Sequence, residues 1–298
     1  MDETKRFHWR PGRAAAALAL LPTAFVVLFV FIGGAGWAGL VSFTSSRMLT
    51  IWNFVGFDQY AALFRFPRWQ VSLENMVIFG FCFILASLVL GILLAVFIDQ
   101  KVKGESVFRT IYLYSYATSF IVVGLVWRWI LDPGLGIQHV VRDLGFPGFT
   151  FDWIVNQKMA IFTIVIAATW HGSGLVMVIV LAGIRGVDAE IWKALKVDGA
   201  PNWKAYLFVI LPTIRGSIIT AVVLMTIGVV RLYDIVVAMT NGGPGSATEV
   251  PAKFIVDNLF ERQNIGLATA ASTTLLVLIL LIIVPWALWQ RARQRRAA

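Results

Sequence analysis

Residues 185–212 read RGVDAEIWKALKVDGAPNWKAYLFVILP, and this connection between two apolar runs is longer and better built than a linker requires. Helix–helix connections in bundles usually take a few residues. Here Ile191, Leu195 and Val197 fall near one face of a short helix, while Glu190, Lys193 and Lys196 decorate the rest. Asp198-Gly199 supplies a turn, because glycine accepts positive φ without steric penalty. A second short helix carries Trp203, Leu207 and Phe208. Pro212 then opens the next apolar run, where a missing N–H is tolerated. Two readings are open for such a hairpin: an amphipathic element lying on a lipid surface, or a rigid knob offered to the groove of a cytoplasmic partner.

On either side of this connection the chain is apolar. Six segments stand out, at 14–41, 75–98, 107–131, 158–184, 213–237 and 267–290, and a helix needs roughly 20 such residues to cross a bilayer. Charged residues make up only 14% of the 298, against about 25% in a soluble domain. The surface is therefore not built for water all round. The first segment is too long for a signal-peptide core and has no clear small-residue cleavage site, so it reads as a retained span. The expectation is an all-α integral membrane protein with six transmembrane helices. One transmembrane domain at 14–290 would lie between an N-terminal tail, 1–13, and a basic C-terminal tail, 291–298.

Lysine and arginine set the orientation. With the N-terminus in the cytoplasm, the inside segments hold 16 of these residues and the outside segments 7; Arg128 and Arg231 lie within spans. Both termini are then cytoplasmic, and the 185–212 connection faces the same side. Trp9, Trp286 and Trp289 mark the edges of the first and last spans, as an interfacial belt does. The net charge of +9 gathers in short segments beside apolar runs, which favours a membrane surface over nucleic acid as its partner.

The stretch KALKVDGAPNWKAYLFVILP resembles the EAA loop of ABC importer permeases, with Asp198, Gly199 and Ala200 at the motif's centre and Ile210, Leu211 and Pro212 at its end. Ala194 keeps the motif's alanine, whereas Lys193 stands where it carries glutamate and Leu195 where it carries a second alanine. The segments NFVGFDQYAALF (53–64), FRTIYLYSYATSFIVVGLVWRWILDPGLGI (108–137) and MTNGGPGSATEV (239–250) are similar to the carbohydrate-uptake, maltose-type branch of that family. The resemblance implies a type I ABC importer architecture in the bacterial inner membrane, with a coupling-helix hairpin at about 188–208. Through it, Glu190, Lys193, Ala194, Asp198, Gly199 and Ala200 would dock an ATPase. The implied partners are a second homologous permease, two ATPase subunits, an extracytoplasmic sugar-binding protein and a sugar. ATP and magnesium would be bound by the ATPase partners, leaving this chain without a cofactor.

Polar groups at membrane depth usually face a cavity or a partner. Arg128 lies in Trp127-Arg128-Trp129. Arg231 and Asp234 are three apart, close enough to share a helix face, and Tyr233 adjoins them. Trp170-His171-Gly172-Ser173-Gly174 gathers an aromatic ring, an imidazole and small residues. Aromatic faces and fixed polar groups suit a sugar. Arg231, Tyr233, Asp234, Trp170, His171 and Arg128 are therefore candidates for a substrate pathway. The resemblance adds Met225 and Val229, which lie on the helix leading to the NGGP loop. Bland readings stand beside these: a snorkelling arginine, a structural ion pair, a packing histidine.

No G-x-x-x-x-G-K-[ST] phosphate loop occurs, so this chain is not expected to hydrolyse ATP. The string at Gly34, Gly36 and Gly39 lies inside the first span with no strand before it, which removes it as a dinucleotide fingerprint. The histidines at 8, 139 and 171 are scattered, and the lone Cys82 sits in an apolar run; neither a catalytic nor a metal constellation emerges. A secondary transporter, or an importer for a non-sugar solute, remains open as an alternative.

Overall fold

The computed structural model describes residues 13–49, 51–100 and 103–297, with side chains left out at 13–17, at 19, 282 and 283, and from 286 onward. The tail 1–12, Lys101 and the side chains of Trp9, Trp286 and Trp289 therefore lie outside the description. In chain order the helices are α1 (Arg13–Phe25), running through a π-helical stretch (Val26–Gly33) into α2 (Gly34–Val41), then α3 (Asp58–Arg65), α4 (Pro67–Asp99), α5 (Glu105–Ala117), α6 (Phe120–Ile130) and α7 (Ile137–Asp143). They continue with α8 (Ala160–Arg185), α9 (Ala189–Val197), α10 (Asn202–Lys204), α11 (Leu211–Thr213), α12 (Arg215–Val230), α13 (Asp234–Met239), α14 (Pro251–Val256) and α15 (Ile265–Ala297). Among the described residues there is no β-strand, only two isolated bridges, Thr44–Phe54 and Arg47–Leu49.

The chain divides into two compact units, 13–63 with 255–297, and 64–254. Neither boundary carries a composition shift, so the division is invisible along the sequence. In the first unit, Leu20–Val41 is long and apolar enough to span a membrane, and its Leu, Val, Ile and Phe side chains as far as Leu40 are exposed, while Val41 is buried. Such all-round apolarity suits lipid, where every backbone group must be bonded within the helix. Helix α15 packs on α2 in this unit, burying Leu267, Ala268, Ala270, Ala271 and Leu275.

The second unit is centred on α8, which packs against α4, α5 and α12. Pro67–Asp99 and Ala160–Arg185 are unbroken helices of 33 and 26 residues, each long enough to span. Helix α4 begins eight residues before the apolar segment at 75–98. Pro67 starts it, as proline can where the N–H has no intrahelical partner. The polar Arg68, Gln70 and Glu74 hide that first part from any reading by hydropathy.

Two expected spans are not continuous helices. The 107–131 segment breaks between α5 and α6 with a bend of 102°. Its Ser115-Tyr-Ala-Thr-Ser119 run explains the break, because hydroxyl side chains offer the backbone local bonds that compete with the helix: Thr118 Oγ1 donates to Tyr114 O at 2.9 Å. The 213–237 segment breaks after Val230 and resumes as helix at Asp234, and Asn202–Thr213 meets Arg215–Val230 at 72°. The expected span at 267–290 lies within α15 (Ile265–Ala297), whose Ile265–Leu281 stretch is apolar.

Close approach of backbones holds the unit together. A Cβ on Gly174 would lie 2.1 Å from Tyr112 O and 2.9 Å from its carbonyl carbon, so only glycine allows α8 to meet α5 here.

Candidate functional site

The break in the 213–237 segment separates Arg231, beyond the last turn of α12, from Asp234, the first residue of α13. The two do not share a helix face, and among the described residues they form no ion pair with each other. The break instead turns Arg231, Tyr233 and Asp234 into one cleft of about 610 Å³. Irregular backbone at membrane depth is tolerated where it lines such a cavity. The cleft's other walls come from α4 (Phe79, Phe83), from the α5–α6 break (Tyr116, Thr118, Ser119, Phe120), from α8 (His171, Leu175) and from α12 (Leu224, Met225).

His171 is buried, and its Nε2 lies 3.1 Å from the carbonyl of Thr118. The carbonyl accepts, so Nε2 carries the proton. The imidazole thereby satisfies a backbone group that the bend between α5 and α6 withdraws from the helix ladder. Its ring stacks on Phe120 at 4.2 Å and tilts against Tyr116 at 5.3 Å. Phe79 and Phe83, one turn apart, stack at 5.2 Å. The wall is thus aromatic, with one cation, one carboxylate and several hydroxyls at its rim.

Among the sequence candidates, Arg231, Tyr233, Asp234, His171 and Met225 meet at the cleft. Val229 is buried beside Gly80, where a Cβ would come within 3.0 Å of Val229 Cγ1. Trp170 turns from the cleft and meets Trp127 edge-on at 6.2 Å. Arg128 is exposed near the end of α6. Among the described residues, no group of three His, Cys, Asp or Glu side chains could hold a metal ion.

The 188–208 segment is a helical elbow. Asp188 caps α9, its Oδ1 accepting from Glu190 N at 3.0 Å. At the other end Gly199, with φ +63°, closes the helix: Ala200 N donates to Leu195 O and Gly199 N to Lys196 O. This is the paired-bond termination in which a left-handed glycine satisfies the last carbonyls. Ile191, Trp192 and Leu195 pack inward, while Val197, expected on that face, is 87% exposed. Val197 lies two residues past Leu195, about 200° around the helix, which carries it outward. In the second arm Ala205, Tyr206 and Ile210 are buried, and the apolar Trp203, Leu207 and Phe208 face out. Glu190, Lys193, Ala194, Asp198 and Gly199 are all exposed, and Ala200 is half-buried.

Residues 87–296 match the family described as binding-protein-dependent transport system inner membrane component. The chain belongs to that family. This inner membrane component is 33% identical to the probable ABC transporter permease protein PH1215 of Pyrococcus horikoshii over 282 residues, 94% of this chain and 96% of the relative. It is 27% identical to the xylose/arabinose import permease protein XacH of Haloferax volcanii over 271 residues, 89% of this chain and 85% of that one. Its fold is similar to a chain of a solved bacterial alginate ABC transporter in complex with an alginate pentasaccharide-bound periplasmic protein. There the TM-score is 0.78 at 20% identity, over 90% of this chain and 91% of that chain.

Several groups of this inner membrane component escape a reading of the sequence. The cleft aromatics Phe79, Phe83, Tyr116 and Phe120 sit among other apolar residues, and only the hydroxyl run at 115–119 hints at them. Glu249, 1% exposed, receives Arg68 Nη2 at 2.7 Å. Asn75 Nδ2 donates to the carbonyls of Ala247 at 3.1 Å and Glu249 at 2.9 Å. These bonds pin residues 247–249, just after the Asn241–Gly245 turn, to α4 across more than 170 residues of sequence, which no local pattern reveals.

Proposed function

We propose that this chain is the transmembrane permease subunit of an ATP-driven sugar importer, forming half of the translocation pathway. The observation that carries the reading is the elbow at 188–208. It is capped at both ends of α9 and seated on the core by Ile191, Trp192 and Leu195. Its polar and apolar outer residues are left presented to a partner. A lone carrier has no use for such an element. In this reading Glu190, Lys193, Ala194, Asp198, Gly199 and Ala200 dock an ATPase subunit, which binds ATP and magnesium and performs the hydrolysis. Lys193, in place of a glutamate, would meet acidic rather than basic partner groups.

The proposed topology is six spans with both termini cytoplasmic, two of the spans being the bent pairs and the sixth formed by α15. The partners are a second homologous permease, two ATPase subunits and an external sugar-binding protein. The xylose/arabinose relative and the alginate-transporter neighbour support a carbohydrate as the solute. The cleft supports it too. Aromatic faces accept the C–H surface of a sugar ring, and Arg231, Tyr233 and Asp234 offer fixed donors and acceptors for hydroxyls. ATP-driven closure of the ATPases would move the elbow, and with it the cleft walls, between outward and inward openings. The test is ATPase activity of the reconstituted complex with its binding protein, assayed against xylose, arabinose, maltose and an alginate oligosaccharide. Stimulation by a sugar supports the reading; a chain that transports alone in liposomes refutes it.

A further inference from the structure

Three helix ends and the elbow meet in one polar cluster. Asp99 is the last residue of α4, Glu105 the first of α5 and Arg185 the last of α8. Tyr206, from the second arm of the elbow, donates its hydroxyl to Asp99 Oδ2 at 2.6 Å. Arg185 Nη2 donates to Glu105 Oε1 at 2.7 Å, and Arg185 Nε lies 3.8 Å from Asp99 Oδ1. Trp192 of α9 meets the Tyr206 ring edge-on at 5.5 Å. Both arms of the elbow therefore lead into the cluster through one buried tyrosine.

Helix dipoles show why these charges need one another. A glutamate at the start of α5 and an arginine at the end of α8 are each favourable, whereas a carboxylate at the end of α4 faces the negative pole of its own helix. Arg185 and the Tyr206 hydroxyl offset that repulsion, so Asp99 is held by groups from α8 and from the elbow. The three helices joined here are the ones that carry Phe79 and Phe83, Tyr116, and His171 and Leu175 into the cleft.

We infer that Tyr206, Asp99, Arg185 and Glu105 form a transmission clamp that converts movement of the 188–208 elbow into movement of the cleft walls. Tyr206 is a positioning residue in it. It is 8% exposed, bonded to the end of α4, and presents little surface to a docked subunit. The inference rests on the proposed docking of an ATPase at the elbow, and the experiment separates the two.

The assay uses the full complex with its ATPase subunits, carrying Cys82→Ser and Leu224→Cys, so that maleimide labelling reports access to the cleft. In this parent, ATP with vanadate changes the labelling rate at Leu224→Cys. Adding Tyr206→Phe removes one hydroxyl and no volume elsewhere. With the bond to the Asp99 carboxylate gone, the nucleotide-dependent change is expected to shrink about tenfold or more while the ATPase still co-purifies. Glu105→Gln shrinks it as well, and the double variant is no worse than the stronger single change, as members of one unit behave. An undiminished nucleotide response in Tyr206→Phe overturns the clamp, as does strict additivity of the two changes. Loss of the ATPase from Tyr206→Phe also overturns it, by assigning the tyrosine to docking. A parent that retains no ATPase instead refutes the docking proposal itself.

Discussion

Replacing Gly174 by alanine tests how tightly the cleft-bearing helices are pressed together. The new Cβ would sit 2.1 Å from Tyr112 O, where a carbon and a carbonyl oxygen in contact are ordinarily about 3.3 Å apart. The shortfall is about 1 Å, and the obstructing atom belongs to the α5 backbone, which cannot swing aside as a side-chain tip can. Overpacking of this kind costs about 1–3 kcal/mol. With a backbone atom in the way the cost lies at the upper end, about 3 kcal/mol; the helix-propensity gain of glycine to alanine returns about 0.5–1 kcal/mol, leaving a net loss of about 2 kcal/mol. The control is Gly216→Ala near the start of α12, where an added Cβ meets nothing within 4 Å. Intrinsic-fluorescence melting in detergent reads both. For a chain of this size, about 2 kcal/mol corresponds to a fall of roughly 4–8 °C, while Gly216→Ala holds or rises slightly. Displacing α5 also pulls Tyr116 and the Thr118 carbonyl away from His171, so uptake by Gly174→Ala should fall with stability. A Gly174→Ala protein that melts at or above the parent would refute the packing argument.

Arg231→Ala should abolish uptake while the complex still assembles, as judged by co-purification of its subunits; normal uptake removes Arg231 from the pathway. Gly199→Val should release the ATPase, because a β-branched residue at φ +63° strains the elbow by about 1–2 kcal/mol or more. Gly199→Asn, which tolerates that conformation, should retain the subunit, and since a Cβ there meets open space, equal loss in both variants would point to sterics at the interface instead. Asn75→Ala strips a donor from two backbone carbonyls and should lower stability by about 2 kcal/mol, with faster proteolysis at 240–250; unchanged melting would show that these bonds are replaced by water.

The long spans are legible because no charge interrupts them: Leu20–Val41 carries none, and Ala160–Arg185 carries none before Arg185. The elbow was legible for a different reason. Gly199 and the apolar residues around it obey rules that act within a few residues. The bends were not, because hydropathy measures how apolar a segment is and takes no account of its direction. A chain that turns by 102° at Thr118–Ser119 stays as apolar as a straight one. The Arg231–Asp234 spacing shows the same weakness, since three residues share a face only if the helix between them survives. The cleft itself needs α4 beside the α5–α6 break, and that proximity comes from α8 packing on both. Val197 falls off the inward face because it stands two residues from Leu195, and residues so spaced lie on opposite sides of a helix.

Cross-linking from the elbow tests the central claim most directly. A Cys82→Ser, Ala194→Cys chain, co-expressed with its ATPase and treated with a short bismaleimide in native membranes, should give one dominant adduct of this subunit with the ATPase. The adduct should disappear when Gly199→Val is added. If Ala194→Cys labels freely in the assembled complex and never links to an ATPase, the elbow touches lipid or water, and the importer account fails.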